Sequence, residues 1–586
     1  MKKLAGVALL AILSALTLVA ASDEITVPLR FDRYYRPDEI NDALKALNKA
    51  YPALTSLEEV GKSEEGRPLC AMTVNNPKTG APLDKPGIYV DGNIHGNEIQ
   101  GGDISLYLLD YLLGNYGHNK EITELVDRIC FYVVPVVNVD GRYHFMTDPN
   151  TASSNRGLRI PTDDDRDGLV DEDFPDDIDG DGNICQMRKK DPFGRFKTDP
   201  EDARLMVPVK PGEKGEWTIL GHEGLDNDGD GLVNEDSEGY VDPNRNWGFD
   251  WAPPYVQSGS GEYPFSGTGM KALAEWILTK PNICVGWSFH NSGGMYLRGP
   301  SRKGLGEFPP QDISLYDFIG KQAERITPGY RYLIVWKDLY TTYGDSVEWL
   351  VQIMGAYGFV AEVFQVQTET FRKPAEKAAP TSEMEAPGMA MLTEGITDRE
   401  RIKFNDHLAQ GDLYKPWTPF KHPTYGDIKI GGWVKMSSRL SAPFMIKDLV
   451  HRNAMVVIFS AKHLPEVELE VTEVKALGKN LFQVRTRLAN SRAVPTMSYL
   501  AQKVNLYPKD VLNVSGAGAK VVAGGLLTDP YRDQVTYKKH NPETQFLVVP
   551  GFGKIEHQFL VEGKGEIKVS YASRHGGKRT KAVVLK

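Results

Sequence analysis

Through the first two thirds of the chain, apolar residues gather into short unbroken runs. Ile88–Asp91, Ile129–Val137, Ile283–Phe289 and Gly358–Phe364 are almost wholly apolar, the pattern of strands covered on both faces. Glu39–Tyr51 before them, and Ile104–Leu113, Met270–Thr279 and Ser346–Tyr357 between them, carry the spacing of helices. This alternation predicts an α/β domain built on a mixed, mostly buried β-sheet flanked by helices.

After about Tyr425 the pattern changes. "VELEVTEVKA", "LFQVRTRLAN", "YLAQKVNLYP", "TQFLVVPGF", "HQFLVEGKG" and "EIKVSYAS" are strand-like segments separated by turn residues, which predicts a C-terminal β-sandwich over 462–586. Residues 426–461 read as a connector. Two stretches interrupt the α/β region: an Asp/Gly-rich insertion at about 150–238, and Thr368–Met389 with "RKPAEKAAPTSEMEAPGM", whose composition is that of an exposed loop.

Composition narrows the function classes. A chain of 586 residues exceeds one ordinary core, and a net charge of −10 without a long basic run excludes nucleic acid or an anionic membrane as the main partner. "MKKLAGVALLAILSALTLVAASDE" has the charge and hydropathy profile of a secretory signal, so 1–21 is expected to be cleaved and 22–425 to form the first mature domain. The protein is then expected to be secreted or periplasmic. A lipid anchor is not expected, since no cysteine stands near the cleavage point, and no later segment is long and apolar enough to span a bilayer. Cys70, Cys130, Cys185 and Cys284 are far apart and form no CxxC, which argues against a cysteine zinc site and leaves one or two disulfides open.

Candidate chemistry begins at "DGNIHGNEIQGG", where a strand gives way to a helix. His95 and Glu98 stand three residues apart, so both can reach one ion. Zinc accepts such a mixture of nitrogen and oxygen, and ends of strands in α/β sheets are where ligands bind. His290 ends the run "ICVGWSFH" and could supply a third ligand. Glu362 lies inside the apolar "YGFVAEVF", where a carboxylate is costly unless paired or functional.

Together, His95-x-x-Glu98, "VDPNRNW" (Val241–Trp247), His290, and "LYTTYGDSVEW" with Glu362 thirteen residues beyond Trp349 resemble the zinc metallocarboxypeptidase family, over about residues 33–425. The resemblance implies the metallocarboxypeptidase fold, one catalytic Zn2+, and hydrolysis of the last bond at peptide or protein C-termini. It implies His95, Glu98 and His290 as zinc ligands, Asp242 as the acid that orients the first histidine, and Asn244 and Arg245 as the grip on the terminal carboxylate. Tyr340 would close over the substrate, and Glu362 would act as general base. An arginine polarising the scissile carbonyl is expected at Arg188 in "QMRKKDP", with Arg156 as its rival. Val347 matches a position that helps choose the terminal side chain. An apolar residue there favours an apolar or aromatic terminal residue, whereas Asp345 and Glu348 beside it favour a basic one. Asn291 departs from the serine found in the best-known members. Activation by removal of a large N-terminal propeptide is not expected.

The insertion carries its own pattern. "DDDRDGLVDED" (Asp163–Asp173), "DNDGDGLVNED" (Asp226–Asp236) and the shorter "DIDGDGN" (Asp177–Asn183) place acids at alternate positions around a glycine turn. Asp163, Asp165, Asp167 and Asp171, then Asp177, Asp179 and Asp181, then Asp226, Asp228, Asp230 and Asn234 are expected to hold Ca2+. No glutamate occupies the twelfth loop position, where Phe174 and Ser237 stand, so Asp173 and Asp236 are the substitutes. Two other functions remain open: a cell-wall peptide hydrolase on the same zinc site, and a calcium-dependent surface-binding protein whose site is inactive.

Overall fold

A computed structural model describes residues 27–163, 168–236, 238–364 and 397–586. The signal segment, Asp165, Asp167, Ser237 and the loop expected at Thr368–Met389 lie outside these residues. Among the described residues no helix is long and apolar enough to cross a membrane.

The predicted buried runs form the middle of an eight-stranded mixed sheet. Its strands are β1 (Thr55–Lys62), β2 (Pro68–Val74), β3 (Gly87–Gly92), β4 (Cys130–Val134), β11 (Ile283–Asn291), β12 (Met295–Arg298), β13 (Arg331–Ile334) and β14 (Tyr357–Val363). They lie in the order β1-β2-β4-β3-β11-β14-β12-β13. β4, β3, β11 and β14 run parallel to one another, and every residue of β3, β4 and β11 is buried. Helices α1 (Pro37–Ala50), α2 (Gln100–Asn115), α3 (Lys120–Arg128), α4 (Val139–Thr147), α5 (Thr268–Leu278) and α6 (Pro310–Ile326) provide the flanking layers. The helix expected over Ser346–Tyr357 is α7 (Ser346–Trp349), continued by a wide turn to Met354.

The insertion builds a second sheet, and 414–433 completes it. β6 (Gln186–Lys190), β7 (Phe196–Thr198), β8 (Met206–Pro208) and β9 (Trp217–His222) join β15 (Tyr414–His422) and β16 (Gly426–Trp433) in the order β15-β16-β6-β9-β7-β8. Before and after this excursion, β5 (Leu158–Arg159) pairs with β10 (Tyr240–Val241), so both ends of the insertion return to the same place.

The expectation of a connector at 426–461 is corrected. β16 belongs to the second sheet, and the helix Ile446–Lys462 buries Ile446, Leu449, Val450, Val456 and Val457 in the main core. Trp287 of β11 donates to Ser460 of this helix at 3.1 Å. Only past Leu464 does the chain enter the β-sandwich. There a five-stranded and a four-stranded sheet enclose a separate core around Leu469, Phe482, Phe559, Val514, Val569 and Tyr571. "YLAQKVNLYP" is not a strand: Tyr499–Val504 is a helix, capped by Ser498, which accepts from the Ala501 amide, and by left-handed Asn505. Capping at both ends overrides the β-like composition, and Asp312 of α6 accepts the first two helical amides. All four cysteines are free thiols.

Candidate active site

The loop between β3 and α2 carries His95 and Glu98, and its glycines are there for space. A Cβ on Gly96 would stand 2.2 Å from the Asn155 carbonyl oxygen, and one on Gly92 would stand 2.3 Å from the Gly101 carbonyl carbon. The Gly96 amide thereby reaches the Arg156 carbonyl at 2.9 Å. Asn93, in the left-handed region at φ 59, ties the loop to itself by donating to the His95 and Gly96 carbonyls. Beneath it, fully buried Arg142 donates to Asn93 Oδ1 at 2.9 Å and to Asp103 at 2.7 Å.

β11 delivers His290 to the same point. His95 Nδ1 is 3.2 Å from His290 Nδ1 and 3.0 Å from Glu98 Oε1, and His290 Nδ1 is 2.9 Å from Glu98 Oε2. The far sides of both rings face acceptors. His95 Nε2 lies 3.0 Å from Asp242 Oδ1. His290 Nε2 lies 3.3 Å from Ser288 Oγ, whose own proton goes to Asp91 Oδ1 at 2.6 Å. Acceptors at both Nε2 atoms select the tautomers that would turn the two Nδ1 lone pairs toward the Glu98 carboxylate. One ligand atom from each residue lies within 4.8 Å of the others, and all three residues are buried. This donor set fits zinc.

Around this centre, Glu362 of β14 stands beside His290 in register and lines the cleft. Burial, then the Glu98 carboxylate, push its carboxyl up to about 7. The same cleft is lined by Asn244, Arg245 and Tyr340. Asn244 Oδ1 is taken by the Ser346 amide and hydroxyl, both at 3.0 Å, which fixes its orientation. Arg245 Nη1 is anchored to the Asn244 carbonyl at 2.7 Å. Burial opposes the ionised form of Asp242, but His95, Arg245 and Arg156 outweigh it and hold this carboxyl well below the usual range.

Two expected positions are corrected. Arg188 is not in the cleft: it lies on β6, between β16 and β9, with its guanidinium 4.1 Å from the Trp217 ring centre and 4.0 Å from that of Trp417. The arginine at the site is Arg156, with Nη1 3.0 Å from Glu98 Oε1, Nη2 3.0 Å from His95 Nε2 and Nε 3.5 Å from Asp242 Oδ2. The insertion begins after Arg156, so the continuation of the motif beyond it misled the sequence reading. Val347 does not line the cleft either. It packs on Gly358 of β14 and lines an internal cavity with Tyr89, Trp247 and Trp287. From that turn it is Asp345 that faces the cleft, beside Leu297, Val335, Leu339 and Val360. Glu348 is buried behind it and accepts from the Ser301 amide and Gln352.

Three contributors escaped the sequence reading. Ser288 shares a strand face with His290 by the two-residue period. Asp91 ends an apolar run and could have been found by the argument that singled out Glu362. Arg439 comes from the supposed connector; its carbonyl accepts from Asn291, and its charge favours ionised Glu362. No local signal marks it.

The acidic positions of the insertion separate. Asp163 and Asp171 cap their own loop, accepting the Gly168 and Thr162 amides. Asp177 and Asp179 meet Glu223; Asp226, Asp228 and Asp230 meet one another; and Asp228 also meets Asp173 and Glu235. Asp181 pairs with Lys415 at 3.1 Å, Asn234 donates to the His222 carbonyl, and Asp236 accepts the Asp173 amide.

Comparison with known proteins places the chain in a family. The zinc carboxypeptidase family matches residues 40–192 and 224–388, more than half of the chain. The chain belongs to this family of peptide hydrolases. A domain of unknown function matches 466–584. Carboxypeptidase B of Astacus astacus is 24% identical over 378 residues, covering 62% of this chain and 97% of that protein. Human carboxypeptidase D is 34% identical over 110 residues, which is 19% of this chain and 8% of that protein. Mouse carboxypeptidase M is 31% identical over 123 residues, 21% of this chain and 28% of that protein. The matches therefore span under a third of these last two relatives. Among solved structures, carboxypeptidase A of Helicoverpa armigera aligns at a TM-score of 0.41 and 17% identity, over 78% of this chain and 81% of that one.

Proposed function

We propose that the protein is an exported exopeptidase that removes the last residue of peptides or proteins. The observation that carries this reading is that two features share one cleft: His95 and His290 of the buried His95–Glu98–His290 group with Glu362, and Asn244, Arg245 and Tyr340. The charged and apolar N-terminal pattern supports export.

His95 Nδ1, Glu98 and His290 Nδ1 would hold zinc, which when bound acts as a Lewis acid and brings the pKa of a water to about 7. Glu362, a buried carboxylate in register with the ligand His290, takes the proton of the attacking water and returns it to the leaving amine nitrogen. Arg156 stands beside the ligands and donates to the carbonyl oxygen as negative charge develops there. Arg245 and Asn244 hold the terminal carboxylate, since a guanidinium fork matches it in two hydrogen bonds, and Tyr340 closes the open side. Requiring that carboxylate confines cleavage to the chain end. Leu297, Val335, Leu339 and Val360 favour a long apolar terminal side chain, while Asp345 admits a basic one.

N-blocked dipeptides ending in Phe, Leu, Lys, Arg or Glu, each as free acid and as amide, test the reading. Release from the free acids alone is expected, with Phe, Leu, Lys and Arg ahead of Glu. Equal cleavage of the amides would overturn the exopeptidase assignment.

A further inference from the structure

At the edge of the second sheet, one buried carboxylate faces others without a neutralising partner. Glu223 follows β9 and is fully buried. Its Oε1 accepts the Cys185 amide at 2.6 Å, whereas its Oε2 is enclosed by protein and has no hydrogen-bond partner. One oxygen each from Glu223, Asp177 and Asp179 lies within 4.8 Å of the others. Lys415, the lysine of this corner, is engaged with Asp181. A buried carboxylate in such company is costly unless a cation neutralises it.

We propose that Asp177, Asp179 and Glu223 form a binding site for calcium. Two oxygens on opposite sides of a calcium ion stand about 5 Å apart at its ordinary bond lengths, so three within the observed spacing fit one ion. The donors are all hard oxygens, which suits calcium over zinc or copper. The "DIDGDGN" loop supplies two ligands, and the third comes from a strand about forty residues later, a position no loop motif would indicate. Glu223 is also wired to the sheet, its amide donating to the Cys185 carbonyl at 2.9 Å and its carbonyl accepting from Asp176 at 3.1 Å. The ion thus clamps the acidic loop to the β6–β9 pair. It stiffens the excursion whose two ends, joined as β5 and β10, lead to Arg156 and Asp242. The site stands independently of the peptidase reading.

The test is calorimetric titration of calcium into the zinc-loaded full chain, dialysed free of calcium with zinc held constant, for wild type, Glu223→Gln and Asp179→Asn. Wild type is expected to bind calcium, and both variants to lose one ion from the stoichiometry or to bind it at least about tenfold more weakly. Ions at the Asp173–Asp228–Glu235 cluster would persist in the variants. Melting adds a signature that mere structural damage would not produce: Glu223→Gln is expected to melt above wild type without calcium and below it at saturation. Absence of binding by wild type up to about 10 mM, beyond the range of weak extracellular sites, would overturn the proposal, as would unchanged stoichiometry and affinity in Glu223→Gln. If that variant does not fold, Asp179→Asn decides on the same criteria.

Discussion

His95–Glu98–His290 and Asp177–Asp179–Glu223 are both sets of three side chains whose ligand atoms lie within 4.8 Å, yet they are held in opposite ways. In the first, the ligands stand at strand ends of the main sheet, and the outer nitrogens of both histidines are occupied by Asp242 and Ser288. The inner nitrogens of both rings lie about the Glu98 carboxylate. In the second, two ligands lie on a loop whose backbone already serves them: Asp177 accepts the Asp181 and Gly182 amides, and Asp179 accepts the Asp181 amide. Only Glu223 is left short. The first cluster is organised in advance for a metal by the contacts behind its ligands, whereas in the second the buried, half-satisfied Glu223 carboxylate is what calls for a cation.

The largest test concerns the first cluster. Glu362→Gln is expected to lower kcat by about 10^2–10^4-fold with zinc content unchanged by elemental analysis. Retained activity would move the general base elsewhere.

Next comes the choice of arginine, which separates the two sheets. Arg156→Ala should cost about 10^2–10^3-fold in kcat. Arg188→Ala should leave kcat/KM unchanged and lower stability by roughly 1–3 kcal/mol, through two lost contacts with indole rings. The reverse pattern in steady-state kinetics and urea unfolding would restore Arg188 to the chemistry.

Ser288→Ala tests whether the outer contacts organise the zinc ligands. It should weaken zinc binding about tenfold, measured against a competing chelator, while kcat at saturating zinc stays near wild type. No change in affinity would mean that the strand alone orients His290.

The last effect is read as a pH profile. Asp242 and Glu348 are both buried, but Asp242 has arginines beside it. Glu348 is instead pushed up to about 7, by burial and then by Asp345. Between its ordinary value of 4.5 and about 7, the folded protein keeps a proton that the unfolded chain has lost. Stability therefore falls as pH rises through that window and levels off above it. Glu348→Gln should gain on wild type by on the order of 2 kcal/mol across it, seen by urea unfolding at both ends. A pH-independent difference would show Glu348 to be ionised throughout.

Legibility in the sequence followed the range of the interactions. β3, β4, β11 and β14 were readable because strands buried on both faces need continuous apolar runs. His95, Glu98, His290 and Glu362 were readable because polar side chains at such junctions demand a reason. Arg188 was preferred to Arg156 because the motif pattern resumes around it, and only the path of the insertion shows that Arg156 is the one at the site. The helix at Ile446–Lys462 was missed because a helix that packs against α2 and β11 shows its purpose only when those partners are in place.

By itself, then, the sequence determined the layered α/β domain and the separate sandwich, through periodicity and local burial, while its motifs, through the family resemblance, implied the residues of the metal centre. The tertiary structure alone decided which arginine reaches the ligands, that Asp345 and not Val347 faces the cleft, and that Glu223 joins the "DIDGDGN" acids. These depend on contacts between residues tens to hundreds of positions apart, which no local pattern of polarity encodes.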